Sequence, residues 1–182
     1  MAGSSNTAEL RDVPWRTLVE LRIATAEDGT GADTAAVARE LGFDLPAAGQ
    51  TSGDGTLLAL WLSPGWWLLD APATGDVVLE APLVQRLRPA GRGLSAVEVS
   101  AGFAVLELSG PAAPAVLGHG CSIDLHPRVF GPGSAARTML AKAQVVLAQI
   151  DDAPTYRVWV RSSFARYLVA WLLDATSEYT SA

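Results

Sequence analysis

The chain has 182 residues, enough for one compact domain or two small halves sharing a core. Hydrophobic residues make up 49% and charged residues 18%, against the ~25% charged share usual for soluble domains, which excludes a disordered body. The net charge is −6, with the acidic excess in the first hundred residues and no basic run, which argues against nucleic acid or an anionic membrane as partner. Residues 1–14 are polar and small up to Pro14 and predict a flexible N-terminal tail. They hold no apolar stretch of the kind a signal peptide needs. From Thr17 the pattern becomes strand-like. Val19, Leu21 and Ile23 alternate with Glu20 and Arg22, giving one buried and one wet face. Asp33 is placed to cap a helix through Leu41, closed by Gly42. Pro46, Gly49, Gly53 and Gly55 mark residues 45–55 as loop.

Thr56–Leu62 and Trp66–Asp70 are apolar runs joined through Pro64-Gly65, and they predict a hairpin or a kinked strand pair. Ser63-Pro64-Gly65 interrupts the stretch from Leu57 to Leu69, which is too short and too punctuated to span a bilayer. Pro82 opens a short predicted helix with Leu83 and Leu87 on one face, ended by Pro89 and Gly91. Ala96–Ser100 is a strand.

The second half repeats this order. Phe103–Leu108 is a strand, Pro111 starts a short helix and Gly118 stops it. Ala136–Lys142, Val145–Ile150 and Tyr156–Val160 are three strands, the last two separated by a turn at Asp151-Asp152-Ala153-Pro154. A final helix begins near Ser162 or Ser163, one of which serves as its cap. Phe164, Leu168, Trp171, Leu172 and Ala175 have the spacing of a helix lying on a sheet. The fold class is α+β: two similar small units of antiparallel sheet with helices on one side, at 15–100 and 101–178.

Motifs for chemistry are sparse. No GxGxxG follows a strand and no GxxxxGK[ST] occurs, so nothing argues for a nucleotide. Gly131-Pro132-Gly133-Ser134 is a rigid turn, because its proline lacks an N–H that an anion would need. The single cysteine, Cys121, rules out an internal disulfide and fits a reducing cytoplasm. It lies with both histidines in His119-Gly-Cys121-Ser-Ile-Asp124-Leu-His126. Zinc ligation or a Cys–His pair is conceivable there. The spacing matches no standard metal site, and no lysine is near to lower the thiol pKa. The structural alternative is a tight loop in which Asp124 bonds backbone amides.

Trp66-Trp67 raises a different question. Adjacent strand residues point to opposite faces, so one tryptophan enters the core and the other faces outward. A partner protein or a loop of the same chain must cover it. The low charge and the six tryptophans of the chain fit either a covered interface or a well-filled core. Trp66 and Trp67 are therefore the candidate interface residues.

Several segments agree in order and spacing with one family. They are Leu106-Glu-Leu-Ser-Gly-Pro111, Gly120-Cys-Ser-Ile-Asp-Leu-His-Pro127, Phe130-Gly-Pro-Gly133, Ala136-Arg-Thr138, Tyr156-Arg-Val-Trp-Val160, Arg161-Ser-Ser-Phe-Ala165 and Trp171-Leu-Leu173. Val99 to Leu173 closely resembles the sarcosine oxidase gamma subunit family. Leu57–Leu69, preceded by Leu45-Pro46, is similar to that family's tryptophan-bearing segment. This chain has Ser63-Pro64-Gly65-Trp66 where the family carries glycine and an acidic pair.

The resemblance implies a fold related to the folate-binding aminomethyltransferases, in a non-catalytic structural subunit of a bacterial, cytoplasmic heterotetramer. That enzyme demethylates sarcosine oxidatively and passes the one-carbon unit to tetrahydrofolate. The implied partners are the alpha, beta and delta subunits, with the large alpha subunit as the packing partner. FAD, FMN, NAD, zinc and tetrahydrofolate are implied for the complex and none for this chain. No catalytic, cofactor-binding or metal residue transfers to it. Two other readings remain: a gamma-type subunit of a related N-methyl amine oxidase or dehydrogenase, and a stand-alone folate binder. The latter needs a carboxylate to hold the pterin ring, for which Asp124 and Glu107 are candidates.

Overall fold

The computed structural model describes residues 7–24, 34–73, 85, 87 and 93–179. The chain divides into two units, one of Trp15–Ser100 and one of Met1–Pro14 with Ala101–Ala182. Each holds a five-stranded, wholly antiparallel sheet.

In the unit of Trp15–Ser100 the strands are β2 (Arg16–Ile23), β3 (Thr51–Gly53), β4 (Leu58–Ser63), β5 (Trp66–Pro72) and β6 (Leu94–Glu98), in sheet order β3-β4-β5-β2-β6. The other unit contains β1 (Glu9–Asp12), β7 (Phe103–Ser109), β8 (Ala135–Leu140), β9 (Ala143–Asp151) and β10 (Thr155–Arg161), ordered β1-β7-β10-β9-β8. The two orders are the same with one exchange of origin. Four consecutive strands pair identically in each, with the first beside the fourth. The fifth strand follows them as β6 in one unit and precedes them as β1 in the other.

That exchange corrects the predicted tail at 1–14 over its strand Glu9–Asp12; residues 1–6 lie outside the described residues. Glu9–Asp12 pairs with β7 in full register, Glu9 opposite Ser109 and Asp12 opposite Leu106. Four residues were too few to show a period, and strand β7 supplies the hydrogen-bond partners that the local sequence does not reveal. Gly110 makes the approach possible. Its φ is +107°, and a β-carbon there would lie 2.5 Å from the Thr7 carbonyl oxygen. The same carbonyl accepts the Ala112 N–H at 3.0 Å.

Helix α1 (Thr34–Leu41) ends where Gly42 N–H bonds the Ala38 carbonyl; its expected cap, Asp33, lies outside the described residues. Val37 and Leu41 pack with Val19, Leu21, Trp67 and Leu69 in one core cluster. Leu87 joins it, buried and helical; the rest of the helix expected from Pro82 lies outside the described residues. The loop expected at 45–55 contains the short edge strand β3, whose ladder partner is β4. The 56–70 pair is a hairpin. Gly65 has φ +69° after Pro64, the combination a type II turn needs, and the register slips between Trp61 and Ser63.

In the other unit α2 (Ala113–Gly118) and α3 (Ser162–Thr176) cover one sheet face. Val116, Leu117, Leu168 and Leu172 pack with Leu106, Leu108, Tyr156, Val158 and Val160. Helix α2 starts two residues after Pro111, which sits in the preceding turn. Neither Ser162 nor Ser163 caps α3. Strand β10 runs straight into the helix, so extended Arg161 holds the cap position, and Ser162 donates to the Ala101 carbonyl instead. Phe164 lies at the margin of the buried stripe and is exposed, while Leu168, Leu172 and Thr176 fill it.

Part of each sheet's second face is buried as well. Leu18, Leu60 and Leu68 in one unit, and Val105, Val146 and Trp159 in the other, are almost inaccessible. The wet face expected for β2 is therefore confined to its later residues, where Arg22 is exposed and Glu20 half-buried.

Candidate functional site

Strand alternation divides the tryptophan pair as expected. Trp67 is 8% exposed and belongs to the core cluster, and its indole N–H donates to the Pro46 carbonyl at 3.1 Å. This bond ties Leu45-Pro46 to the tryptophan hairpin. Trp66 is half-buried on the opposite face. Arg22 stands across the ladder from it, with the guanidinium carbon 4.3 Å from the ring centroid. Cation–π stacking of this kind contributes about 0.5–1 kcal/mol at exposed sites. Arg22 thus belongs to the candidate site, although it read in the sequence only as a polar strand residue.

The face that carries Trp66 also carries Asp70, which is wholly buried. Its ladder neighbours are Leu18 and Leu58. Arg16 Nε donates to its carboxylate at 2.7 Å. An aspartate inside Leu68-Leu69-Asp70-Ala71 was the sequence signal for this pair, since a charge in a buried strand requires a partner. One residue before Arg16, Trp15 has φ +59° and is 81% exposed. Its carbonyl accepts the Ala73 N–H at 2.6 Å.

Glu107, a carboxylate considered for folate, is already engaged. Arg11 and Arg157 stand opposite it on β1 and β10, and they contact its two oxygens at 3.1 and 3.2 Å. The expected tail therefore supplies one arm of this cross-strand triad. The other candidate, Asp124, makes an Asx turn: its Oδ1 accepts the His126 N–H at 2.8 Å.

In the His119–His126 loop each histidine has its own partner. His119 Nε2 lies 3.2 Å from the Tyr179 hydroxyl, and His126 Nδ1 accepts the Arg128 N–H at 3.2 Å. Cys121 is bound into the backbone by a bridge to Leu140. Among the described residues, no three His, Cys, Asp or Glu side chains come together as metal ligands. The Gly131–Ser134 turn is closed by Ser134 N–H to the Gly131 carbonyl and by Gly131 N–H to the Ser134 hydroxyl.

Beside α1, a groove of about 590 Å³ is lined by Ala35, Ala38, Arg39, Gly42, Phe43 and Asp44. It is open and lacks converging acid, base and nucleophile groups. No helix among the described residues is long and apolar enough to cross a membrane.

The model of the sarcosine oxidase gamma subunit family matches residues 25–178. The chain is 36% identical over 181 residues to sarcosine oxidase subunit gamma of Corynebacterium sp. strain P-1, covering 98% of this chain and 84% of that one. It is 39% identical over 175 residues to the subunit of the same description from an Arthrobacter species, covering 94% and 81%. Among solved structures, the heterotetrameric sarcosine oxidase of Corynebacterium sp. U-96, in complex with pyrrole 2-carboxylate, has a similar chain. The TM-score is 0.83 at 35% identity, with 98% of this chain and 88% of that chain covered. The glycine cleavage system aminomethyltransferase T of Bartonella henselae aligns at TM-score 0.70 and 17% identity, covering 93% and 46%, a likeness of fold alone.

Proposed function

The chain belongs to the sarcosine oxidase gamma subunit family, and on that premise we propose that it is the non-catalytic gamma subunit of a heterotetrameric sarcosine oxidase. The supporting observation is the likeness along nearly the whole chain, at 35% identity and TM-score 0.83, to a chain of such an enzyme. The described geometry is in keeping with a structural role. Glu107 is held by two cross-strand arginines, Asp124 by a turn amide and His119 by the Tyr179 hydroxyl.

In this reading the protein acts in the cytoplasm with alpha, beta and delta subunits, packing against the large alpha chain. FAD, FMN, NAD, zinc and tetrahydrofolate belong to the other chains. Oxidative demethylation of sarcosine and transfer of the one-carbon unit happen there too. Of the tryptophan pair, half-buried Trp66 is the member assigned to a partner in this reading. The folate-binder reading loses support because both Glu107 oxygens already face arginines.

Co-expression with the other subunits of its own oxidase tests the proposal. The chain is expected to co-purify in a yellow complex that turns over sarcosine, and to be colourless and inactive alone. A stoichiometric flavin spectrum on the purified single chain would overturn the reading.

A further inference from the structure

Three hydrogen bonds close a ring through segments far apart in sequence. The Thr7 carbonyl accepts the Ala112 N–H at 3.0 Å, where α2 begins without a side-chain cap. His119, just after α2, has its Nε2 3.2 Å from the Tyr179 hydroxyl, and the two ring centroids are 6.2 Å apart. Tyr179 ends a single 3-10 turn, Ser177–Tyr179, that follows α3, and its carbonyl accepts the Ala8 N–H at 3.3 Å. Residues 7 and 8 are thus fastened both to the start of α2 and to the turn after α3.

The strand they lead into has little packing of its own. β1 is an edge strand of four residues, three of them exposed. Its Arg11 reaches Glu107 with a side chain that is 57% exposed, and exposed ion pairs contribute little. Ala8, immediately before it, is buried in the core cluster. By contrast β9 and β10 lie inside the sheet and are buried along most of their length.

We propose that β1 is a strap that opens locally while the other four strands stay paired, and that Tyr179 is the latch that sets how often it opens. Segments with few buried apolar contacts open below the free energy of global unfolding. Opening uncovers the backbone edge of β7 and withdraws Arg11 from Glu107.

Native-state hydrogen exchange on the full chain, read by mass spectrometry of peptides, tests this. The amides of residues 8–13 are expected to exchange at least about tenfold faster than those of β9 and β10. Tyr179→Phe deletes only the hydroxyl and is expected to speed the residue 8–13 amides by a further factor of about five, the worth of one hydrogen bond. Val146→Ala weakens the packing of β9, which stays intact when the strap opens. It is expected to speed β9 and β10 and to leave residues 8–13 unchanged. Exchange of residues 8–13 no faster than β9 and β10, or equal acceleration of all three by Val146→Ala, overturns the strap. Unchanged exchange of residues 8–13 in Tyr179→Phe overturns the latch.

Discussion

A β-carbon on Gly120 would lie 2.7 Å from the indole of Trp171, closer than side chains tolerate. Glycine is needed there for space, because α3 lays its tryptophan directly against the loop that follows α2. The Gly120 carbonyl also accepts the Ala141 N–H, so the loop cannot easily retreat. Gly120→Ala is expected to destabilise the chain by roughly 1–3 kcal/mol, as overpacking does. Chemical denaturation checks this. A double variant with Trp171→Leu should recover part of the loss, because the two positions are in contact and do not add.

The tryptophan pair should separate core from surface. Trp67→Ala is expected to lose about 3–5 kcal/mol of stability, as large-to-small core changes do. Trp66→Ala should keep a cooperative melt while weakening assembly with the other subunits by about 2 kcal/mol. Melts and assembly titrations of the two single variants are the measurements. Normal assembly and a native-like melt for both would contradict the hairpin packing.

Asp70 and Arg16 form a buried ion pair, with Asp70 fully inaccessible. Arg16→Met leaves that carboxylate without its guanidinium and is expected to destabilise by about 3–5 kcal/mol. Replacing both, Arg16→Met with Asp70→Leu, should restore most of the stability, because an apolar pair of similar volume avoids the desolvation cost. Urea unfolding of the three variants decides it. A double variant as unstable as the single one would show that the pair contributes more than charge compensation.

Burial raises the Tyr156 phenol above its ordinary value of 10.0. The folded chain therefore favours the neutral phenol. The associated stability is complete below pH 10, where the unfolded chain also keeps its proton, and is lost as pH rises from there through the folded-state pKa. Alkaline denaturation should begin in that window, and Tyr156→Phe should remove part of the pH dependence. A phenolate absorbance titration should show one of the three tyrosines ionising late. Early ionisation of all three in the folded protein would refute the assignment.

The sequence by itself determined the elements with strong local patterns: β2, α1, the hairpin of β4 and β5, the run β8–β10 and α3. Apolar spacing and turn residues are local properties, and Pro64-Gly65 or Gly42 marks a boundary wherever the chain goes afterwards. The tryptophan alternation was legible for the same reason, since period 2 is intrinsic to a strand. The family was legible from residue order alone. The tertiary structure decided what depends on distant segments. Glu9–Asp12 becomes a strand because β7 offers it an edge, and Arg11 reaches Glu107 across that ladder. Arg161 displaces the serines as helix cap because β10 and α3 are continuous. Leu18, on the face read as wet, is buried. Nothing in the sequence singled out Trp15, and only the folded backbone, left-handed and bonded to Ala73, turns its side chain out into solvent.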